Sequence, residues 1–514
     1  MPRDNFCPVC AAQSLAGSRF CGNCGHVFQK GGNGGTGTGL AEQPVRRGAN
    51  TISVVIILVS LLLLAGGGGF WYFKNHKGDV IEESNTRPWL RLRGSTTIGL
   101  SLAPKLAEGF FRSKGATDVT TTPTPGKPYF LVHGTLPTES SSRVIEIDAK
   151  GSGAGFVDLS HNAADVAMSS REIKPKEQAD LASFGDFSEQ SSDRTLGLDG
   201  VAVIVNNQNP LQEIALDDLA RIYAGDIRRW ENLKNAGTGN ILVLSRDDKS
   251  GTWETFRDLV LEPVHERLIE GPPENRFADN SALAAAVAAN PMAIGFVGMT
   301  YTKDAKILRV GYRGLQFLLP TRLTVLHEEY PLRRRLHLFV PSRGTADPST
   351  LVTAREFCQF SLSPAGQSIV DSSGFVSEDT ESALEGSKNV PLPKGYPNVM
   401  RGAEPLYTLF FRPGKADLDS LALDNIDRLT QLMTSAGYRS ATVFLAGHAD
   451  NTGGHQLNLA VSEQRVTSVR ETLRTRGVPV DLAIPLGETF PIEPNVPGKG
   501  NPRNRRVEVW IRKN

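Results

Sequence analysis

From Trp89 to about Glu378, short runs that alternate apolar and polar side chains, such as Leu90-Arg91-Leu92-Arg93, give way repeatedly to stretches with helical spacing, such as Leu100 to Phe111. Strands interleaved with helices predict an α/β fold for this region. A second pattern follows near the C-terminus. Thr442-Val443-Phe444-Leu445-Ala446 alternates as a half-buried strand, Asn451-Thr452-Gly453-Gly454 breaks it, and Leu459, Ser462, Val466, Val469 and Leu473 then recur at helical intervals. Asp450 therefore stands at a strand end. At ~100° per residue, Arg465 lies beside the seam marked by Val466 rather than in it, so its guanidinium can reach a ligand held over that strand end. One carboxylate and one forked cation suit a zwitterion.

The remaining strong hydropathy signal is Ile52 to Phe73, an uncharged run rich in Val, Ile and Leu and long enough to cross ~30 Å of hydrocarbon. About fifty residues precede it, which sets it apart from a cleavable signal sequence and marks residues 51–73 as a transmembrane anchor. Gly66 to Gly69 is a packing face or a frayed end, and Phe70-Trp71-Tyr72 forms an aromatic belt ahead of Lys74 and Lys77. Arg46 and Arg47 on one flank match those lysines on the other, so charge alone does not orient the span.

At 514 residues the chain needs several cores. Its 56 Lys and Arg balance 55 Asp and Glu, which removes any general attraction to nucleic acid or to an anionic membrane surface. The five cysteines are too few for a disulfide scaffold in this length, and Cys358 stands alone as a buried small hydrophobe. The other four form Cys7-Pro8-Val9-Cys10 and Cys21-Gly22-Asn23-Cys24, two Cys-x2-Cys knuckles separated by ten residues. Four thiolates at that spacing close a tetrahedral structural zinc site; two disulfides would require an oxidising compartment. The segment resembles the short zinc ribbons found at bacterial protein N-termini. A reduced site places it in the cytoplasm and the C-terminal part outside the inner membrane. Four protein ligands leave no open position for substrate, so protein contact is its expected job.

The α/β region carries four small, hydroxyl-rich turns, each between a strand and a helix: Gly94-Ser95-Thr96-Thr97, Gly151-Ser152-Gly153-Ala154-Gly155, Ser169-Ser170-Arg171 and Ser245-Arg246-Asp247-Asp248-Lys249-Ser250-Gly251-Thr252. Helix N-termini offer unpaired amides, and Ser or Thr adds a short donor. Converging on one point, they would form an anion cradle with Arg246 as its fixed cation and Asp248 placed to hold the guanidinium. Arg333-Arg334-Arg335 reads as a solvated basic face that could touch anionic glycans. No Ser/His/Asp order, metal-binding His pair or nucleotide loop is apparent, and the glycine turn lacks the lysine of a P-loop. Catalysis is therefore not expected.

In order and spacing these turns resemble the phosphate-binding proteins that feed ABC transporters, over nearly all of residues 89–378. The resemblance implies a two-lobed periplasmic-binding-protein-like fold. It also implies phosphate ligands at Ser95, Thr96 and Thr97, at Ser152, at Ser170 eighteen positions further on, and at Arg246, Ser250, Gly251 and Thr252. Val201 to Asn206 matches the family's crossover between lobes. Serine at 170 departs from the aspartate of the best understood members, so discrimination against sulfate is less assured, although other branches carry the same Ser-Ser-Arg.

Gly447-His448-Ala449-Asp450, with Asn458, Ser462, Arg465 and Asn504-Arg505-Arg506-Val507-Glu508-Val509, resembles the C-terminal peptidoglycan-binding domain of the OmpA family, an α+β domain over about residues 406–514. The resemblance implies that Asp450 takes the amino group of diaminopimelate and Arg465 its carboxylate, with Asn458 in the same motif. Ala449, where the family often has Thr, removes one hydroxyl. His448 reads as a structural turn residue.

The expected order is a zinc ribbon (1–30), a Gly-rich linker (31–50), a transmembrane helix (51–73), a linker (74–88), the oxyanion-binding domain (89–380), a linker stiffened by Pro391, Pro393 and Pro397 (381–403), and the OmpA-like domain (404–514). Such a chain is either a wall-attached receptor presenting phosphate to an ABC permease, or an envelope sensor or scaffold reporting to a cytoplasmic partner of the ribbon. A chelator acting on residues 1–30 is expected to release about one zinc per chain and unfold the ribbon, as read by metal analysis and circular dichroism.

Overall fold

The computed structural model describes residues 87–513 apart from 249, 265–272, 303, 344–347, 381–382, 385–391 and 413–416, together with two short antiparallel strands, Asn5–Phe6 and Gln13–Ser14. Cys7, Cys10, Cys21, Cys24 and the expected membrane helix 51–73 lie outside the described residues. Among the described residues, no helix is long and apolar enough to cross a membrane. Thr86–Asn514 forms a compact unit of its own, distinct from Met1–Asn85.

Its first lobe holds β1 (Leu90–Gly94), β2 (Thr117–Pro123), β3 (Tyr129–Thr135), β4 (Arg143–Asp148) and β5 (Val166–Ser169), in the order β2-β3-β4-β1-β5. Strand β1 runs parallel to β4 and β5, so the C-terminal ends of all three open on the same edge. There the short α1 (Thr96–Gly99), α2 (Leu102–Ser113) and α3 (Ser152–Ser160) begin. Leu102, Leu106 and Phe110 of α2 are fully buried against Phe357 and Val370, which fixes α1 beneath them.

Strand β6 (Asp193–Val205) then crosses into the second lobe, built on β7 (Leu242–Val243), β8 (Ser245–Arg246), β9 (Arg276–Phe277) and β10 (Ala293–Gly298), and β11 (Arg333–Phe339) returns. The main sheet continues β5-β11-β6-β10-β7, with β11 antiparallel to both β5 and β6. The lobes thus share one sheet, and β6 and β11 are the crossing strands; the resemblance over Val201 to Asn206 implied the first of them. Strand β6 is buried from Thr195 onward, as a strand covered on both faces should be. Helices α4 (Gly251–Phe256) and α5 (Asn280–Ala289) start at the cleft edge of this lobe.

The C-terminal domain is a four-stranded sheet, β12 (Glu404–Phe410), β13 (Thr442–Gly447), β14 (Leu482–Pro485) and β15 (Arg506–Arg512), in the order β12-β15-β13-β14. On one face α6 (Ser420–Thr434) and α7 (His455–Thr475) bury Ile426, Leu429, Val466 and Val469 against Val443, Leu445 and Val507. The other face is not left to water. Tyr396, Met400 and Ala403 pack on Phe444, Ala446 and Trp510, so part of the stretch read as a stiff tether is a strap across the sheet. The alternate side chains of β13 and β15 require that cover.

Nor does Arg333-Arg334-Arg335 form a solvated face. All three are buried, because β11 is an interior strand and the C-terminal domain docks over it. Arg335 pairs with Glu328 at 2.6 Å and Asp419 at 2.8 Å, Arg333 with Glu493 at 2.8 Å, and Arg503 reaches Glu328 at 3.0 Å. Beside them Ser420 donates to Asp193 at 2.9 Å, Arg194 meets Asp424 at 3.1 Å, and Arg428 meets Glu378 at 2.5 Å. Tyr330 and Leu332 join Leu406 and Tyr407 in one apolar cluster across the same junction. Because removing one partner strands a buried charge, Arg428→Ala is expected to destabilise this unit by about 3–5 kcal/mol, measured by denaturant unfolding.

Candidate functional site

Two of the four predicted turns face each other across the cleft. Ser95 is fully buried and caps α1, accepting from the Ile98 amide at 3.5 Å. That leaves Thr96 and Thr97 on the cleft wall. Opposite them Ser250 caps α4, accepting from the Trp253 amide at 3.4 Å, and Gly251 presses on the first turn. A Cβ at residue 251 would stand 2.4 Å from Thr97 Oγ1 and 2.6 Å from its Cα, so only glycine permits this approach. Thr96 Oγ1 donates to Glu254 at 2.9 Å. The lobes are closed.

Between them lies a cavity of about 490 Å³ lined by Thr96, Thr97, Arg246, Ser250, Gly251 and Thr252, with Asp199, Asp247, Asp279, Asn280, Tyr301 and Ser373. Arg246 is its buried cation. The guanidinium donates to the carbonyls of Phe277 at 3.0 Å and Ala278 at 2.8 Å, to Asn280 Oδ1, and to Thr252 Oγ1 at 3.5 Å. Among the described residues no carboxylate lies within ion-pairing distance of it. Burial lowers its pKa, against the opposing charges of Asp247 and Asp279. Asp248 does not hold it: that side chain is exposed and pairs with Arg276 at 3.0 Å. The carbonyls of β9 and the turn after it have taken that role, leaving Asp248 to solvent.

Ser152 and Ser170 meet as their spacing implied, but they meet each other. The Ser170 amide donates to Ser152 Oγ at 3.1 Å, and the hydroxyls are 3.2 Å apart. Both are buried and stand apart from the cavity lining. The second turn is nonetheless tied to the first, since the Gly151 amide donates to the Gly94 carbonyl at 2.8 Å. Sequence reasoning missed Asn280, although Ala278-Asp279-Asn280-Ser281 is a further polar turn between a strand and a helix and was legible as such. It also missed Arg334, hidden within a run of like charges.

In the C-terminal domain, Asp450 lies three residues beyond the end of β13 and is buried, while Arg465 is half-buried on α7. The two do not pair. Arg505 Nε donates to Asp450 Oδ2 at 2.7 Å and Thr452 to Oδ1 at 2.8 Å; burial works to raise this carboxyl, but the two donors outweigh it and hold it below its ordinary value. Arg465 donates to the His448 carbonyl at 3.0 Å and lies over the Phe411 ring at 5.6 Å, with no carboxylate partner among the described residues. Burial, and then the charge of Arg505, lowers its pKa. Gly500, at φ +65°, closes over Asp450, where a Cβ would stand 2.1 Å from Oδ2. Asn458 turns inward, with its amide bonded to both the carbonyl and the N–H of Gly453 at 2.9 and 3.2 Å, so it shapes the loop rather than facing a ligand. His448 is buried between Tyr396 and Glu508, each at 3.2 Å, as a packed turn residue.

The fold and the two sites define a two-lobed α/β binding module joined to an OmpA-type domain. Residues 113–365 match the PBP superfamily domain, and residues 410–505 match the OmpA family. Among similar curated proteins, the phosphate-binding protein PstS of Bacillus subtilis is 27% identical over 240 residues, 46% of this chain and 72% of that protein. Its namesake in Borreliella burgdorferi is 23% identical over 235 residues, 45% of this chain and 79% of that one. The peptidoglycan-binding protein ArfA of Mycobacterium bovis is 39% identical over 73 residues, 14% of this chain and 22% of that protein.

The close approach at residue 251 gives a direct test. Gly251→Ala is expected to hold the lobes apart and to lower the affinity for any ligand that the closed cleft encloses ~10-fold, the loss that follows if the closed state falls to a tenth of its population, with the circular dichroism spectrum unchanged.

Proposed function

We propose that this chain is a cell-envelope solute-binding protein whose two-lobed module closes on phosphate or a related oxyanion while its C-terminal domain holds diaminopimelate-containing peptidoglycan. The observation that carries the reading is Arg246: a buried guanidinium with no carboxylate partner among the described residues, surrounded by hydroxyls and helix N-termini at the closure of two lobes. A tetrahedral anion supplies the charge and acceptors that such a cradle lacks. The similarity to proteins named for binding phosphate and peptidoglycan supports both halves. Arg465 repeats the logic on a smaller scale, as a second cation with no ion-paired carboxylate among the described residues, near an Asp450 oriented by Arg505.

In this reading residues 51–73 anchor the chain in the inner membrane with its N-terminus in the cytoplasm. Cys7, Cys10, Cys21 and Cys24 hold a structural zinc ion there, and the remaining modules lie in the periplasm. An ABC permease is the expected recipient of the anion. A second reading, an envelope sensor or scaffold that reports to a cytoplasmic partner of the ribbon, is favoured by one observation. The C-terminal domain is docked on the crossing strands through buried ion pairs instead of hanging from a free tether.

Calorimetric titration of the full chain with phosphate, sulfate and a phosphate monoester tests the first half. Phosphate-selective binding that Arg246→Ala abolishes is expected, and unchanged affinity in that variant would overturn the cradle. For the second half, Asp450→Ala combined with Arg465→Ala is expected to release the protein from purified peptidoglycan in a sedimentation assay; retention would refute the wall site.

A further inference from the structure

Arg334 belongs to neither family motif, yet one guanidinium touches both sides of the cleft. It donates to Thr97 Oγ1 in the first-lobe turn and to the Gly251 carbonyl in the second-lobe turn, the latter at 2.6 Å. Its Nε meets Asp199 Oδ2 at 3.3 Å, and its side chain is only 6% exposed. The remaining terminal nitrogen, Nη1, has no hydrogen-bond partner and lies 4.0 Å from Glu254. Glu254 in turn accepts from Thr96, so the two turns are bridged twice over the same spot.

From this geometry we propose that Arg334 is a positioning residue of the oxyanion site, a latch that stabilises the closed state by holding the Thr97 and Gly251 turns together. The inference rests on the oxyanion reading of the cleft. One terminal nitrogen, Nη2, makes both of these bonds, while Nε of the same planar group is held to Asp199, so the donor that spans the two turns is oriented from behind by an ion pair. Thr97 and Gly251 belong to opposite lobes, so the cleft cannot open without breaking at least one of these bonds. A contact made only in the closed state raises affinity by raising the population of that state, and it acts on release more than on encounter. The position of Arg334 is itself fixed, because its neighbours Arg333 and Arg335 point to the other face of β11 and are tied there to Glu493, Glu328 and Asp419.

The test is stopped-flow and calorimetric binding of phosphate to the full chain, comparing the unsubstituted protein with Asp199→Asn alone and with Arg334→Met combined with Asp199→Asn, because Asp199 itself lines the cavity. The double variant removes both charges, so no unpaired carboxylate is left to compromise folding. The expected result is a phosphate off-rate ~10-fold or more higher in the double variant than in Asp199→Asn alone, with the on-rate and stoichiometry the same in those two. An off-rate in the folded double variant no higher than that of Asp199→Asn alone would overturn the latch while leaving the oxyanion reading intact. If the unsubstituted protein binds none of phosphate, sulfate or a phosphate monoester, the oxyanion reading and the latch both fall.

Discussion

A guanidinium taken out of water has to be met by a carboxylate or by a fixed set of acceptors, and β11 presents three in succession. That constraint organises the molecule around it. Strand alternation sends Arg334 to one face and Arg333 and Arg335 to the other. On the first face the charge is met by Asp199, Thr97 and the Gly251 carbonyl; on the second, by Glu493, Glu328 and Asp419. The closure of the binding module and the seating of the C-terminal domain are both solutions to the same problem of burying positive charge.

Buried ion pairs of this kind are weak sources of net stability, since desolvation cancels most of the Coulomb attraction. What they impose is orientation. The apolar cluster that joins Tyr330 and Leu332 to Leu406 and Tyr407 supplies non-directional attraction, and Arg335, Arg428, Asp193 and Asp424 then select one way for the domains to meet. The cleft between the lobes works differently. Arg246 is held by neutral carbonyls and an amide, which leaves its charge available.

Much of this was legible in the sequence because it is local. The turns at Thr96, Ser250 and Asp450 sit where strand and helix periodicities meet, whereas the crossing strand at Val201 to Asn206 was expected from resemblance alone. The failures share one cause: they depend on what lies across from a residue in space. A basic triplet looks solvated until a strand on each side and a domain above are known to cover it. Asp248 is two residues from Arg246 in chain order, yet it faces solvent. Asn458 sits within a binding motif, but its amide closes the loop at Gly453. Prolines in residues 381–403 predicted a stiff tether; that Tyr396 and Met400 would lie on the far face of the sheet follows from the side chains of Phe444 and Trp510, which no local rule couples to them.

The seating of the C-terminal domain on β11 also has a mechanical side. A tension applied to that domain enters the binding module at Arg333 and Arg335 and at the Asp193–Arg194 end of β6, without first stretching a loop. Along β11 the point of entry and the cleft-facing Arg334 are one residue apart, ~3.3 Å of chain. Force from one side and occupancy from the other therefore bear on the same seven-residue rod.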